Sequence, residues 1–297
     1  MAGNPLIFDR ELLRARRKRA MALGPTAFLL DHVAGELAER LTFVLRKFEI
    51  VADIGTPGDA VRRSIMERHL ADHIVAVDPL ARVDGGLAVV ADEEALPFAD
   101  TSLDLAVSAL SLHLVNDLPG TLIQIRRALK PDGLFLAAML GGDTLTELRE
   151  AFAAAEIEIE GGVSPRVAPF ADLRDAGALL QRAGFALPVT DVDRLVVRYD
   201  SAFNLMNDLR RMGASNALVE RRRAPLKRTT LTRMAQIYAE RFADADGRVR
   251  ATFDIVWMSG WVPHESQQKP LKPGSARTRL ADALGTIEIP SGEKPKN

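Results

Sequence analysis

The sequence predicts an α/β protein with a doubly wound, mainly parallel sheet, because strand-like and helix-like segments alternate and polar residues follow the strands. Short apolar runs alternate with helical patterns from about residue 48. The run at 50–54 contains Asp53 and leads into a turn with Gly55 and Gly58. A second run ends at Asp78, roughly 20 or more residues later, where such sheets hydrogen-bond a ribose. This arrangement is typical of a nucleotide-binding sheet.

The individual elements follow from hydrophobic periodicity and turn residues. Residues 1–45 are predicted to be helical, because apolar residues recur there at spacings of three and four. Five strands are then predicted at 50–54, 74–77, 87–90, 103–108 and 134–139, with helices between them at 60–70 and 118–129. Helices at 144–157 and 170–183, a strand at 191–199, a charged helical stretch at 201–245 and a strand at 251–258 follow. The prediction is therefore a seven-stranded sheet with N-terminal helices and a helical cap inserted between the last two strands.

Composition divides the chain into five segments. They are an N-terminal helical segment at 1–45, a core at 46–200, a helical cap at 201–245, the final strand of the core at 246–262 and a tail at 263–297. The tail is rich in Pro, Lys, Ser and Gly and is predicted to be flexible.

Composition and charge restrict the possible classes of function. With 297 residues, 47% hydrophobic and 27% charged, the chain can form an ordinary globular core. The absence of cysteine excludes disulfides, thiolate metal sites and a cysteine nucleophile. A net charge of −1 gives no basic field for nucleic acid, and no apolar run approaches the ~18 residues of a membrane span. We therefore expect a cytoplasmic bacterial protein without a transmembrane segment.

Several charged runs are predicted to be exposed to solvent. The run RARRKR at 14–19 is interpreted as the polar face of an amphipathic helix, because Asp9 and Glu11 argue against a transit peptide. Peripheral contact with the inner face of the membrane through basic helices is the alternative. The arginines at 210–211 and 221–223 are interpreted as a solvated helix face or a docking surface. Glu156, Glu158 and Glu160 are also predicted to be solvated.

Ligands of a doubly wound sheet bind beyond the carboxyl ends of its strands. The candidate ligand contacts are therefore the polar residues that end or follow the first four predicted strands. They are Asp53 and Gly55, then Asp78, then Asp92 and Glu93, and finally Ser108.

Three motifs carry a resemblance to a known enzyme class: DEEALPF at 92–98, SLDLAVS at 102–108 and LKPDG at 129–133. They resemble the type 11 branch of the class I S-adenosylmethionine-dependent methyltransferases. The resemblance implies that Asp78 binds the ribose hydroxyls and Asp92 the adenine edge. It also implies that the loop with Asp53, Gly55 and Gly58 holds the methionine end of the cofactor.

The first loop departs from that pattern, in which three glycines occupy alternate positions. Here those positions hold Gly55, Pro57 and Asp59. Proline fixes φ and removes an N–H donor exactly where close backbone approach is needed. We expect weaker or altered cofactor binding, and a fold that survives without binding a cofactor is the alternative.

The candidate catalytic residues lie on the substrate side. His113 follows the fourth predicted strand and could act as a general base, since an unperturbed histidine has a pKa near ~6.5. A packing or orienting role is equally compatible with its position. Asp117 and Asp143, with Glu147, are candidates for an acidic pocket that would receive an arginine.

Longer sequence strings outside the three motifs narrow the resemblance to a single family. They are IFDR at 7–10, SLHLVNDLP at 111–119, GGDTLTELR at 141–149, GVSP at 162–165, MGASN at 212–216, GW at 260–261 and HES at 264–266. From residue 7 to about residue 268, the chain resembles the complex I assembly factor 5 family. That resemblance implies hydroxylation of an arginine on a complex I subunit, which would be the partner. Leu114 stands where this family commonly has a tryptophan.

The residues alone do not predict hydroxylation. Iron oxygenases use two histidines and a carboxylate, and neither His113 with Asp117 nor His264 with Glu265 has that spacing. No metal site is therefore predicted. Three functions stay open: an enzyme that modifies a complex I subunit, a non-catalytic assembly chaperone, and a carrier-protein O-methyltransferase of the biotin-pathway type.

Overall fold

The structure is a computed structural model that describes residues 6–80, 86–268, 275 and 280–287. The chain forms two compact units, Met1–Pro263 and His264–Asn297. The first unit holds the sheet. In the second, the described residues include one short helix, α9 (Leu280–Leu284). Most of the tail for which flexibility was predicted lies outside the described residues.

The described elements of the first unit alternate as the sequence predicts. The helices are α1 (Arg10–Leu23), α2 (Phe28–Thr42), α3 (Ala60–Glu67), α4 (Leu118–Ala128), α5 (Thr146–Glu160), α6 (Leu173–Arg182), α7 (Ala202–Arg211) and α8 (Arg228–Phe242). The strands are β1 (Phe48–Ile54), β2 (Ala71–Asp78), β3 (Ala88–Val90), β4 (Leu103–Ala109), β5 (Leu129–Leu140), β6 (Ala186–Tyr199) and β7 (Val249–Trp261). No described helix has both the length and the apolar character needed to cross a membrane.

The sheet has the order β3-β2-β1-β4-β5-β7-β6. Strands β1 to β5 pair in parallel, and β7 is antiparallel to both of its neighbours. Asp53 of β1 lies beside Ala76 of β2 and Val107 of β4, so the carboxyl ends of the central strands meet at one edge. The predicted fold class is confirmed, including the helical insertion between the last two strands.

Alternating strand residues bury two opposite faces of the sheet. Val51 and Leu105 contribute to the core that contains α2, α3, α5, α7 and α8. Ala52 and Ala106 point to the other core, which α4 and α6 cover. The loops at the carboxyl edge are therefore held between two packed layers of helices.

The predicted N-terminal helices are α1 and α2. Helix α1 ends at Leu23, because Gly24, whose φ of +78° suits glycine, and Pro25 follow. Two other local predictions need correction. The predicted helix at 118–129 ends one residue earlier, and β5 already begins at Leu129. The charged stretch at 201–245 is not one helix, and the arginines at 221–223 lie in the non-helical segment between α7 and α8.

The prediction that Glu160 is solvated is wrong, because its side chain is 5% exposed and accepts the Thr230 hydroxyl at 2.7 Å. The prediction that Glu156 is solvated is also wrong. Its side chain is 1% exposed and accepts hydrogen bonds from the Ser164 backbone N–H at 2.7 Å and from Arg166 Nε at 2.8 Å. Burial alone would raise the pKa of Glu156, but these bonds outweigh it and lower the pKa. The ion pair fastens the segment after α5 onto that helix.

Replacing Glu156 tests this buried pair. The Arg166 side chain is 16% exposed in the wild-type protein. In Glu156→Ala it would lose its carboxylate partner. We expect a loss of about 3 kcal/mol in the free energy of unfolding, because removal of one partner leaves a buried charge uncompensated. Urea denaturation measures the change.

Glu158→Ala is the matched control on the same helix. Glu158 is exposed and pairs with Arg233 at 2.6 Å in a setting that solvent screens. An equal loss of stability in the two variants would contradict a buried role for Glu156.

Candidate functional site

The candidate site lies at the carboxyl edge of the sheet, around the loop that follows β1. Gly55 has a φ of +71° and donates its N–H to the carbonyl of Val77 at 2.7 Å. The Thr56 hydroxyl accepts the Ala109 N–H at 2.9 Å, so the loop is tied to both β2 and β4. Buried Ser108, a predicted ligand contact, donates to the Ile54 carbonyl at 2.7 Å. These bonds fix the loop backbone.

The second half of the loop turns away toward the helices. A Cβ at Gly58, whose φ is +88°, would lie 3.5 Å from Leu30 of α2. Asp59 is exposed and pairs with Arg63 of α3 at 3.1 Å. Asp53 is buried, with Arg62 at 4.0 Å. Gly58 and Asp59 therefore contact helices on one face of the sheet.

Three carboxylates meet beside Gly55, and we call Asp78, Asp92 and Glu93 the carboxylate cluster. Asp78 ends β2, while Asp92 and Glu93 follow β3. Their side chains are 8%, 19% and 1% exposed. The convergence of these predicted ligand contacts follows from the parallel pairing of β1, β2 and β3.

Helix α1 inserts arginines into this cluster. Arg10 Nη2 donates to Asp92 Oδ1 at 2.8 Å and also to Glu93. Arg14 donates to Asp92 Oδ2 at 2.6 Å. Arg17 Nη2 lies 3.3 Å from Asp78 Oδ2 and donates to the Gly55 carbonyl at 3.0 Å.

The solvated-face interpretation of residues 14–19 is therefore wrong for Arg17, whose side chain is 10% exposed, whereas Arg14 is 42% exposed and also pairs with Asp92. Positions 10, 14 and 17 follow each other at spacings of four and three, which puts them on one side of a helix. We call Arg10, Arg14 and Arg17 the arginine face of α1. The spacing could have been found in the sequence, but nothing local indicates that the partners of these arginines lie at strand ends.

Asp92 and Arg10 each stabilise the charged form of the other. Burial would raise the pKa of Asp92, but the Glu94 N–H and the neighbouring Arg10 and Arg14 outweigh it and hold the pKa below its ordinary value of 3.8. Burial would lower the pKa of Arg10, and Glu93 and Asp92 reverse this, so its pKa is raised.

S-adenosylmethionine would have to displace side-chain contacts that this arrangement makes. A Cβ on Gly55 would lie 2.4 Å from Ser111 Oγ and 2.5 Å from Glu93 Oε1, so these two side chains fill the space against the glycine. Asp78 and Asp92, which the resemblance assigns to ribose and adenine, accept from guanidinium groups instead. Of the predicted cofactor contacts, Asp78, Asp92 and Glu93 lie together beside Gly55, and all three pair with arginines of α1.

Asn116 is a residue of the site that the sequence did not single out. Its Oδ1 accepts the N–H groups of Ile7 and Phe8 at 2.9 and 2.8 Å, and its Nδ2 donates to the Phe8 carbonyl at 3.1 Å. Asn116 precedes α4 and therefore fastens the start of α1 to the core. Its only signal in the sequence is its place in the SLHLVNDLP string.

His113 has an environment that favours the packing role over the general-base role. It lies in a short 3₁₀ turn, its Nδ1 accepts the Leu140 N–H at 3.4 Å, and its ring centroid is 5.7 Å from that of Phe170. Burial lowers its pKa to about 3. An imidazole with this pKa is neutral at pH 7 and a weak base.

The other substrate-side acids already have partners. Asp117 caps α4 by accepting the Gly120 N–H at 2.9 Å. Asp143 is exposed and pairs with Arg194, which also donates to Asp254 at 2.8 Å. Glu147 is buried and accepts the Thr252 N–H at 3.1 Å. An open acidic pocket built from these residues would need them to release their present partners.

The pKa of His113 predicts a pH dependence of stability. Between the ordinary value of 6.5 and about 3, the unfolded chain binds a proton at His113 that the folded chain does not. Stability should therefore fall as the pH falls through this window, by at most about 1.4 kcal/mol per pH unit from this group. His113→Phe should show a shallower fall in urea denaturation at a series of pH values.

His73→Phe is the control, because His73 is exposed on β2. An unchanged pH slope in His113→Phe would show that His113 takes up its proton in the folded protein.

Comparison with known proteins shows the family to which the chain belongs. Residues 52–137 match a family model described as a methyltransferase domain. The chain is 41% identical over 306 residues to the mitochondrial arginine-hydroxylase NDUFAF5 of Homo sapiens, over 97% of this chain and 86% of that protein. It is 31% identical over 280 residues to the malonyl-[acyl-carrier protein] O-methyltransferase of Gallionella capsiferriformans, over 88% and 93% of the two chains.

The solved structure of the YcgJ protein from Bacillus subtilis has the same fold, with a TM-score of 0.53 at 15% identity, over 78% of this chain and 99% of that one. The fold, the methyltransferase domain and the identity over nearly the whole chain lead to one conclusion. The chain belongs to the arginine-hydroxylase NDUFAF5 family, whose members are enzymes built on the class I methyltransferase fold.

Proposed function

We propose that this protein modifies an arginine side chain of a complex I subunit during assembly of that respiratory enzyme. The observation that carries the proposal is the 41% identity, over 97% of the chain, to a protein named as an arginine-hydroxylase. The strings at 7–10, 111–119, 141–149 and 212–216 lie at the start of the N-terminal helix, near the site and in the insertion, so the likeness extends beyond the generic fold.

The chemistry of the site supports an arginine as the target. Arginine presents a planar fork of N–H donors that matches carboxylate oxygens. On the substrate side, Asp143 and Asp254 already accept the guanidinium group of Arg194, with Asp254 Oδ1 at 2.8 Å from its Nε. A carboxylate-rich edge of this kind is suited to hold an arginine, whereas an apolar pocket would repel one.

A non-catalytic assembly chaperone is the second candidate. The observation that favours it is the filled space at Gly55 together with Pro57 in the loop. A carrier-protein O-methyltransferase is a third candidate, supported by the 31% identity to the malonyl-[acyl-carrier protein] enzyme. We propose the bacterial cytoplasm, beside the membrane that contains complex I, as the place of action.

Mass spectrometry of complex I subunits distinguishes these functions. Subunits from a strain that lacks this protein should carry one arginine with the mass of one oxygen missing, relative to the parent strain. A missing methyl group would instead indicate methylation of the subunit.

The control is the deletion strain that carries the wild-type gene again, in which the modified mass should return. Identical subunit masses in the deletion and parent strains, together with defective assembly, would contradict arginine modification and favour the chaperone.

A further inference from the structure

The carboxylate cluster and the arginine face of α1 balance each other in charge. Three carboxylates, each less than one-fifth exposed, face three guanidinium groups: Arg10 and Arg17 are 13% and 10% exposed, and Arg14 is 42% exposed. The ribose hydroxyls and the adenine amino group are neutral donors, so a nucleoside in the same place would replace ion pairs between two charged groups with hydrogen bonds in which only the carboxylate is charged. Buried charge that loses its partner is costly. Helix α1 is therefore bound in the site as a ligand would be.

The insertion holds α1 from the side opposite the core. Phe8 forms a β-bridge with Leu218, and Asp9 pairs with Arg221 at 3.2 Å. Gly213 lies so close to α1 that a Cβ there would come within 3.2 Å of Arg17 Cα. Helix α1 is thus enclosed between the carboxyl edge of the sheet and the segment at 213–221.

The docking of α1 depends on polar contacts more than on apolar burial. Leu13 and Ala20 are its buried apolar residues. In the part of the chain that the structure describes, Arg10 Nε, Arg14 Nε and Arg16 Nη1 are buried without a hydrogen-bond partner. Burial, with the charge of Arg221 nearby, lowers the pKa of Arg16. Burial of these unpaired nitrogens and of the Arg16 charge reduces the net stability of the docked helix, which lowers the free energy needed for α1 to undock.

We propose that α1 is an autoinhibitory element of this site. Its arginine face occupies the nucleoside part of the site, Asn116 holds its first residues in place, and a nucleoside cofactor binds only after α1 undocks. Control of cofactor access by α1 is independent of whether the modification is hydroxylation, methylation or neither. It would therefore not be contradicted if mass spectrometry of the complex I subunits showed no modified arginine.

Binding of S-adenosylhomocysteine, measured by isothermal titration calorimetry, tests the proposal. When the competent state is rare, the observed affinity is reduced by its population. Asn116→Ala removes the three bonds to residues 7 and 8 and keeps every charge in the site. Arg14→Ala/Arg17→Ala removes two of the guanidinium groups. Both variants should bind at least about tenfold more tightly than wild type.

Lys18→Ala/Arg19→Ala is the matched control, because both side chains are exposed cations on the same helix. This variant should bind as wild type does. Equal affinity in all four proteins, or binding by none of them, would overturn the proposal.

Trypsin provides a second measurement that needs no variant. Arginine and lysine residues between 10 and 19 are cleavable once α1 undocks, and mass spectrometry of the fragments locates the cuts. Saturating S-adenosylhomocysteine should speed cleavage in this segment of the wild-type protein. An unchanged or slower rate would overturn the proposal even if the variants fail to fold.

Discussion

Negative charge gathered at the carboxyl edge of the sheet is the constraint on which the site depends. Parallel pairing of β1, β2 and β3 brings Asp78, Asp92 and Glu93 together, and the surrounding layers exclude most solvent from them. Carboxylates in such a place need cations within hydrogen-bond reach. In this protein the cations come from α1, so the N-terminal helix completes a site that the core alone would leave with uncompensated charge.

This charge balance also gives the insertion between β6 and β7 a structural role. A plain doubly wound sheet does not contain this insertion. Its segment at 213–221 contacts the residues that lead into α1, through the β-bridge between Phe8 and Leu218 and the ion pair between Asp9 and Arg221. The core contributes Asn116 from the opposite side. Access to the site is therefore coupled physically to the contacts that this insertion makes, which is a natural arrangement for an enzyme whose proposed substrate is a protein.

The sequence predicted the sheet and the position of the carboxylates because both follow from local patterns. Strand periodicity and the acids at strand ends are visible within a few residues, and the parallel topology then aligns them. The partners of those acids could not be predicted, since Arg17 and Asp78 are 61 positions apart and Arg10 and Glu93 are 83 apart. The sequence left both the packing role and the general-base role of His113 open for a similar reason, because its contact with Phe170 depends on how the segment after α5 packs.

Hydrogen exchange of the α1 backbone amides in the wild-type protein and in Asp92→Asn/Glu93→Gln tests the central claim most directly. Neutralising two members of the carboxylate cluster should speed exchange across Arg10–Leu23, while the amides of β1 and β4 keep their protection. Unchanged protection of α1 in this variant would show that apolar packing holds the helix, and would contradict electrostatic closure of the site by α1.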